Sequence, residues 1–94
     1  MRFGLHHELH DPELKKGFTG VLNEIKEQIF YVEKLGFTRV WLGEHHLGPE
    51  GLSNTPNPIL LCADIAAQTS FEHIGLACVM TPTWHPIRLA EDLA

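Results

Sequence analysis

Apolar residues recur at steps of three and four through the first half of the chain. They form one stripe, and charged or amide residues occupy the opposite side. The stripe consists of Phe18, Val21, Leu22, Ile25, Ile29 and Val32. This spacing is that of an amphipathic α-helix. Glycine commonly ends helices in the left-handed conformation, so the pattern predicts a helix from Phe18 that stops at Gly36.

Three short runs rich in apolar, β-branched and aromatic residues predict strands. They are Arg2–Leu5, Phe37–Leu42 and His73–Met80. The last run is almost continuously apolar, which is typical of a strand buried on both faces of a sheet.

Two further helices are predicted from their start signals. Asn57 can accept a hydrogen bond from a first helical turn, and Pro58 suits the first helical position. The segment after them, "ILLCADIAAQTS", extends this helix to Ser70. Pro86 opens a third helix, "IRLAEDLA", in the same way.

The pair Asp11 and Pro12 carries a similar start signal near the N-terminus. Glycines follow closely, at positions 17 and 20, so any helix that begins here is expected to be short.

The predicted order is strand, helix, strand, helix, strand, helix, which indicates parallel βαβ units. A doubly wound nucleotide-binding sheet usually has a glycine-rich turn after its first strand, and the corresponding segment here, "HHELHD", has no glycine. A (β/α)₈ (TIM) barrel is therefore favoured. A complete barrel needs about 250 residues. We expect residues 1–94 to be the N-terminal portion of a single barrel domain, its first three βα units.

Composition and charge narrow the possible partners. With 44% hydrophobic and 20% charged residues, a packed core is expected. Seven Lys and Arg against twelve Asp and Glu argue against a nucleic-acid partner. There is no apolar run of about 18 residues and no signal-peptide pattern, so we expect no membrane partner and a cytoplasmic location. Cys62 and Cys78 lie in apolar runs and are expected to be buried free thiols.

Ionisable residues are concentrated in the segments that follow the three predicted strands. In parallel α/β folds this edge of the sheet binds the ligand. The candidates are His6, His7 and His10 after the first strand, Glu44, His45 and His46 after the second, and Trp84 and His85 after the third. Any one histidine can lie in a loop without a function. Six of the seven histidines at one edge favour an active site.

An imidazole at this edge could transfer a proton near neutral pH. Glu44 is better suited to a supporting role. It could accept an imidazole N–H and orient the ring, or pair with Arg2 or Arg88.

Two other functions stay open. One is a metal-dependent hydrolase that uses His6, His45 and Glu44, since histidine and carboxylate bind zinc. Adjacent side chains on an extended backbone diverge and no H-x-H or H-E-x-x-H motif occurs, so the expected metal-ligand set is none. The other is a non-catalytic barrel fragment, whose open strand edges would favour association.

Five segments in order resemble the N-terminal third of the bacterial luciferase-like monooxygenases. They are "RFGL", "LGFTRVWLGEHH", "NPILLCADIAAQTS", "HIGLACV" and "TPTWHPIRLAEDLA". The combination of E-H-H after the second strand, N-P at the next helix and H-P-x-R-x-x-E-D after the third strand is specific.

The resemblance implies a flavin-dependent monooxygenase on a (β/α)₈ barrel. It implies reduced FMN, or a deazaflavin in a sister branch, together with O₂ and an organic substrate of the alkanal type. It also implies a separate flavin reductase that supplies the reduced cofactor, and a homo-oligomer or dimer in the intact enzyme.

The resemblance also assigns site residues. It implies that His45 is the catalytic base, that His46 is a second active-site histidine and that Glu44 supports both. Ala77 and Cys78 match a segment that packs on the flavin ring and often contains a non-proline cis peptide. It assigns no role to the histidines of the first loop or to His85. Because the segments that hold the flavin phosphate lie outside this match, we expect these residues alone to bind flavin weakly or not at all.

Overall fold

The computed structural model describes residues 1–48, 55 and 57–94, and within them three strands alternate with three α-helices. The strands are β1 (Gly4–His7), β2 (Arg39–Leu42) and β3 (His73–Leu76). The helices are α1 (Gly17–Lys34), α2 (Pro58–Ala66) and α3 (Pro86–Leu93), with a 3₁₀ turn at Thr81–Thr83 before α3.

The strands form a parallel sheet in the order β1-β2-β3, which confirms the predicted βαβ arrangement. The register aligns Leu5 with Val40 and Val40 with Ile74. In the part of the chain that the structure describes, β1 and β3 are therefore the edges of the sheet.

One face of the sheet is covered by helices and holds the core. Successive side chains of a strand point to opposite faces, so Val40 and Leu42 share this covered face. They pack with the predicted stripe of α1 and with α2, and the buried cluster contains Leu9, Val21, Ile25, Ile29, Val40, Leu42, Leu61 and Ile65.

The other face of the sheet is open. By the same alternation it carries His6, Trp41 and Gly75, and Trp41 is 37% exposed. The indole of Trp41 lies over Gly75, where an added Cβ would be 2.4 Å from ring atoms Cε3 and Cζ3. Glycine at position 75 therefore provides the space that the indole occupies.

Helix α1 agrees with the predicted stripe. It begins one residue before Phe18 and ends at Lys34, and Gly36 has the expected left-handed φ of 85°. Val21, Ile25 and Ile29 are buried.

The predicted helix start at Asp11 is wrong. Residues 12–16 are not helical, and the Asp11 carboxylate instead accepts hydrogen bonds from the N–H groups of Lys15, Lys16 and Gly17 at 3.2, 2.9 and 2.9 Å. The first N–H groups of a helix have no partner within it. The Asp11 carboxylate, on the other side of the turn at residues 12–16, accepts hydrogen bonds from such N–H groups at the start of α1.

The start of α2 is confirmed and its predicted end is wrong. The Asn57 side chain accepts the Leu60 N–H at 3.1 Å, with Pro58 in the first position. The helix ends at Ala66 and not at Ser70. The Thr69 hydroxyl donates to the carbonyl of Ile65 at 2.8 Å, which satisfies a carbonyl of the last turn. Helix α3 begins at Pro86 as predicted.

The first strand lies two residues later than predicted, and the second begins at Arg39 instead of Phe37. β1 begins at Gly4, because its ladder with β2 starts where Gly4 aligns with Arg39. His6 and His7 consequently lie within the strand and not in the loop after it.

The third strand ends at Leu76 and not at Met80, and it is only partly buried. The Ala77 N–H donates to the carbonyl of Leu42 at 2.7 Å, and three residues later the Met80 N–H donates to the side chain of Glu44. This bond draws the chain away from the ladder. Cys78 is therefore exposed, contrary to prediction, whereas Cys62 is half-buried and both thiols are free.

No helix among the described residues is long and apolar enough to cross a membrane.

Candidate active site at the carboxyl ends of the strands

The carboxyl ends of the strands bring three segments of the chain together. Residues 8–10 follow β1, residues 43–46 follow β2 and residues 77–84 follow β3. Because parallel strands end at the same edge of the sheet, side chains distant in sequence meet here. Two carboxylates, from the first and second of these segments, organise the contacts.

Glu44 is the most buried ionisable side chain of this edge, with 3% of the residue exposed. Its Oε1 lies 2.7 Å from Nε2 of His46, and its Oε2 accepts the backbone N–H of Met80 at 2.7 Å. The indole N–H of Trp84 donates to both oxygens, at 2.8 and 3.0 Å. One carboxylate thus joins the end of β2 to the segment that follows β3.

Burial raises the pKa of Glu44, but the hydrogen bonds from His46, Met80 and Trp84 outweigh it and hold the pKa below its ordinary value. Glu44 is therefore ionised at neutral pH, and a carboxylate can only accept, so Nε2 of His46 is the donor. This geometry suits an anchor and does not suit a group that exchanges protons during a reaction.

The predicted contact between Glu44 and a neighbouring imidazole is present. The alternative partners proposed for Glu44 are wrong, because both arginines pair elsewhere. Arg2 lies 3.5 Å from Glu72, and Arg88 lies 3.3 Å from Glu91 within α3.

Glu8, directly after β1, is the second organising carboxylate. Its Oε1 lies 3.1 Å from Nε2 of His45, and its Oε2 lies 3.1 Å from Nε2 of His10. Burial raises the pKa of Glu8, but the hydrogen bonds to His10 and His45 outweigh it and the pKa lies below its ordinary value. Both imidazoles therefore donate to an ionised carboxylate.

Glu8 is not among the residues predicted from the sequence, which are the histidines of "HHELHD" and not the carboxylate between them. The available signal was its position, because a residue just after β1 must lie beside residues just after β2 in a parallel pair.

Gly43 allows these segments to approach one another. An added Cβ at this position would lie 3.3 Å from Oε1 of Glu8 and 3.5 Å from the carbonyl oxygen of Ala77. The end of β2 is thus in contact with the chain on both sides.

The structure places both residues of the expected flavin platform at the surface. Ala77 and Cys78 are exposed at the end of β3, and the peptide bond between them is cis, as the resemblance implies. His45 and His46 are partly exposed beside them, with 46% and 36% of their side chains accessible.

The edge does not contain all six of the predicted histidines. His6 lies on the open face of the sheet, and His7 lies on the face toward α1. Burial, and secondly the nearby His6, lower the pKa of His7. Its Nε2 is buried without a hydrogen-bond partner among the described residues. His85 is exposed just before α3, so the histidines that contact the two carboxylates are His10, His45 and His46.

The alternative metal set is not assembled. Across residues 1–48, 55 and 57–94, no three His, Cys, Asp or Glu side chains are grouped so that they could hold a metal ion. His45 contacts Glu8, and Glu44 accepts the donors described above, so His6, His45 and Glu44 do not converge. The segment "GEHHLGPEGLSNTP" after β2 is rich in Gly, Pro and Asn, which predicts a long loop, and it lies partly outside the described residues, at 49–54 and 56.

Similarity to known proteins identifies the family of the chain. The family profile of the luciferase-like monooxygenases matches residues 1–94. The oxygenase component of flavin-dependent trigonelline monooxygenase from Acinetobacter baylyi is 32% identical over 94 residues, which are 100% of this chain and 26% of the relative.

Two further relatives match shorter parts. The alkanal monooxygenase alpha chain of the Kryptophanaron alfredi symbiont is 41% identical over 61 residues, 65% of this chain and 16% of the relative. Limonene 1,2-monooxygenase of Rhodococcus erythropolis is 36% identical over 67 residues, 71% of this chain and 17% of the relative. The matched part is thus about a quarter or less of each relative's length. The chain belongs to the luciferase-like monooxygenase family.

Proposed function

We propose that residues 1–94 are the first three βα units of a single (β/α)₈ barrel domain. In a barrel, helices cover the outer face of the sheet and the inner face turns toward the axis. The helix-covered face around Leu42 and the open face around Trp41 match these two environments. The missing barrel strands would then pair with the edges of β1 and β3.

We further propose that the intact barrel is a monooxygenase that uses reduced FMN and O₂ to oxidise an organic substrate of the alkanal type. The observation that carries this proposal is the Glu44 network. It ties the E-H-H segment to Met80 and Trp84, in the segment that begins with Ala77 and Cys78, where the resemblance expects a flavin. The names of two relatives, flavin-dependent trigonelline monooxygenase and alkanal monooxygenase, support the cofactor and the substrate class.

The residues present fit a flavin ring. Ala77 and Cys78 form an exposed, uncharged segment at the end of β3, which suits the flat apolar face of the ring. These two residues would hold the ring. Bound reduced FMN supplies the electrons with which O₂ is activated. A deazaflavin would contact the same surface, and the relative named flavin-dependent favours a flavin over it.

In this proposal His45 is the catalytic base. Its Nε2 donates to Glu8, so Nδ1 is the ring nitrogen that takes a proton from the substrate. His46 is oriented by Glu44, and its partly exposed ring faces the same edge of the sheet. Glu44 itself stays ionised and positions His46 and the segment after β3.

A separate flavin reductase is the proposed partner. The Acinetobacter baylyi relative is named an oxygenase component, which supports a division of the reaction between two proteins. The intact enzyme is proposed to be a homo-oligomer.

The test is His45→Ala in a whole-barrel enzyme that contains this segment. We expect kcat to fall by about 10²–10⁴-fold, because a general base contributes that factor, while the Kd for FMN stays within about twofold. His73→Ala is the matched control, since His73 is an exposed histidine at the opposite end of β3 and should leave both values unchanged. An equal loss of FMN affinity and turnover in His45→Ala would contradict the assignment.

A further inference from the structure

We propose that Glu8 is a positioning residue that holds the rings of His45 and His10 with its two carboxylate oxygens. The inference rests on the proposed role of His45 as the base. The family resemblance assigns no role to the segment after β1, so the proposal comes from the contacts alone.

The bond between Glu8 and His45 is tertiary. The two residues are 37 positions apart and follow different strands, yet Oε1 and Nε2 lie 3.1 Å apart. The bond between Glu8 and His10 is local, across two positions. Glu8 therefore fixes a ring from the end of β2 against the end of β1.

The carboxylate is less exposed than either ring. The side chain of Glu8 is 27% exposed, compared with 54% for His10 and 46% for His45. A hydrogen bond to a charged acceptor is stronger where water has less access to it. The less exposed member of the cluster thus holds two more exposed rings.

The ionisable surroundings of Glu8 come from β1, from α1 and from the segments at the strand ends. In the described part of the chain they include His6, His7, His10, Lys16, Glu24 and His45. Lys16, which directly precedes α1, is 2.6 Å from the carboxylate of Glu24, so the positive charge that lines this cleft already has a negative partner.

The arrangement has a chemical consequence. An ionised carboxylate that accepts from Nε2 leaves Nδ1 to receive a proton, and it stabilises the imidazolium that results. Glu8 would thereby orient His45 and strengthen it as a base without touching the substrate.

The first test compares Glu8→Gln with Glu13→Gln in the whole-barrel enzyme. Glutamine keeps the size of the side chain and removes its charge. We expect Glu8→Gln to lower kcat about 10–100-fold with KM within about threefold, since it weakens the base without changing substrate contacts. Glu13 is exposed and pairs with Lys15 at 2.6 Å, so its variant should behave as wild type.

A conservative variant separates positioning from a general loss of structure. Glu8→Asp keeps the negative charge that Glu8→Gln removes, so we expect it to retain more of the kcat than Glu8→Gln does. An unchanged kcat in Glu8→Gln, or an equal loss of kcat in both variants, would overturn the proposal.

The second test needs neither flavin nor activity. The carboxyl carbon of Glu8 is titrated by NMR in the 94-residue chain and in His45→Ala and His10→Ala. We expect the pKa of Glu8 to rise toward its ordinary value in each variant, because alanine has no side-chain donor. No change in His45→Ala would overturn the proposed contact. If Glu8 responds while His45→Ala leaves turnover intact, the contact stands and the proposed role of His45 fails.

Discussion

At the scale of single residues, Glu44 makes the contacts with the greatest structural effect. In Glu44→Gln one oxygen is replaced by an NH₂ group, which cannot accept, so either the Met80 N–H at Oε2 or the His46 N–H at Oε1 loses its acceptor. A buried donor left without an acceptor costs about 1–3 kcal/mol, so the free energy of unfolding should fall by that amount. Urea unfolding of the 94-residue chain measures it.

Glu72→Gln is the control for that variant. Glu72 pairs with Arg2 at 3.5 Å at the surface, and exposed ion pairs contribute about 0–1 kcal/mol. A loss in Glu44→Gln no greater than in Glu72→Gln would show that the Glu44 network does not stabilise the fold.

The difference between wild type and Glu44→Gln should also depend on pH. The folded pKa of Glu44 lies below its ordinary value of 4.5, so the ionised form stabilises the fold fully above pH 4.5. This contribution is lost as the pH falls from 4.5 through the folded pKa. The stability difference should accordingly shrink in acid. Other carboxylates with lowered pKa values, Glu8 and Asp11, are common to both proteins and cancel.

The residues of the E-H-H segment could be chosen from the sequence, and their partners could not. Position after a strand was sufficient to select Glu44, His45 and His46. The contacts of His45 with Glu8 and of Glu44 with Trp84 depend on which strand ends are neighbours in the sheet. A hydropathy pattern contains no information on such lateral contacts.

At the scale of elements, the fit of β2 against β3 depends on Gly75. In Gly75→Ala the new Cβ would lie 2.4 Å from the Trp41 ring, so the indole must move off the sheet. Overpacking typically costs about 1–3 kcal/mol, and we expect the lower end here because Trp41 is 37% exposed and has room to rotate. Urea unfolding measures the loss, and Trp41 fluorescence should shift toward that of a more exposed indole.

A double-mutant cycle with Trp41 provides the control for Gly75→Ala. In a Trp41→Leu background the ring is absent, so Gly75→Ala should cost much less than in wild type. Equal costs in both backgrounds would mean that the strain arises from the backbone and not from the indole.

Elements were predictable where local pattern determines them. The stripe of α1 and the Asn57-Pro58 start of α2 were found because they depend on neighbouring residues. The end of β3 was not predictable, because the apolar run continues to Met80. The strand ends earlier, and the Met80 N–H donates to Glu44, 36 positions away. Asp11 was misassigned for the same reason, because its carboxylate serves the start of a later helix.

At the scale of the whole molecule, three parallel strands with helices on one side leave polar edges and an apolar patch exposed. Trp41 and Gly75 lie on the open face, and β1 and β3 offer unpaired strand edges in the described part of the chain. Unpaired edges and exposed apolar surface both favour association. In a closed barrel the same surfaces would be covered, so the isolated segment and the intact enzyme should behave differently.

The last prediction concerns that difference. The 94-residue chain is titrated anaerobically with reduced and oxidised FMN, followed by flavin fluorescence, with size-exclusion chromatography at several protein concentrations. We expect no saturable binding at micromolar FMN, because in the proposed barrel Ala77 and Cys78 would contact only part of the ring and other segments would hold the phosphate. We also expect association that increases with concentration and weakens in Trp41→Lys, because a charge on the open face opposes its burial. Saturable micromolar binding by a monomer would instead mean that these three units already contain the principal contacts of the flavin site.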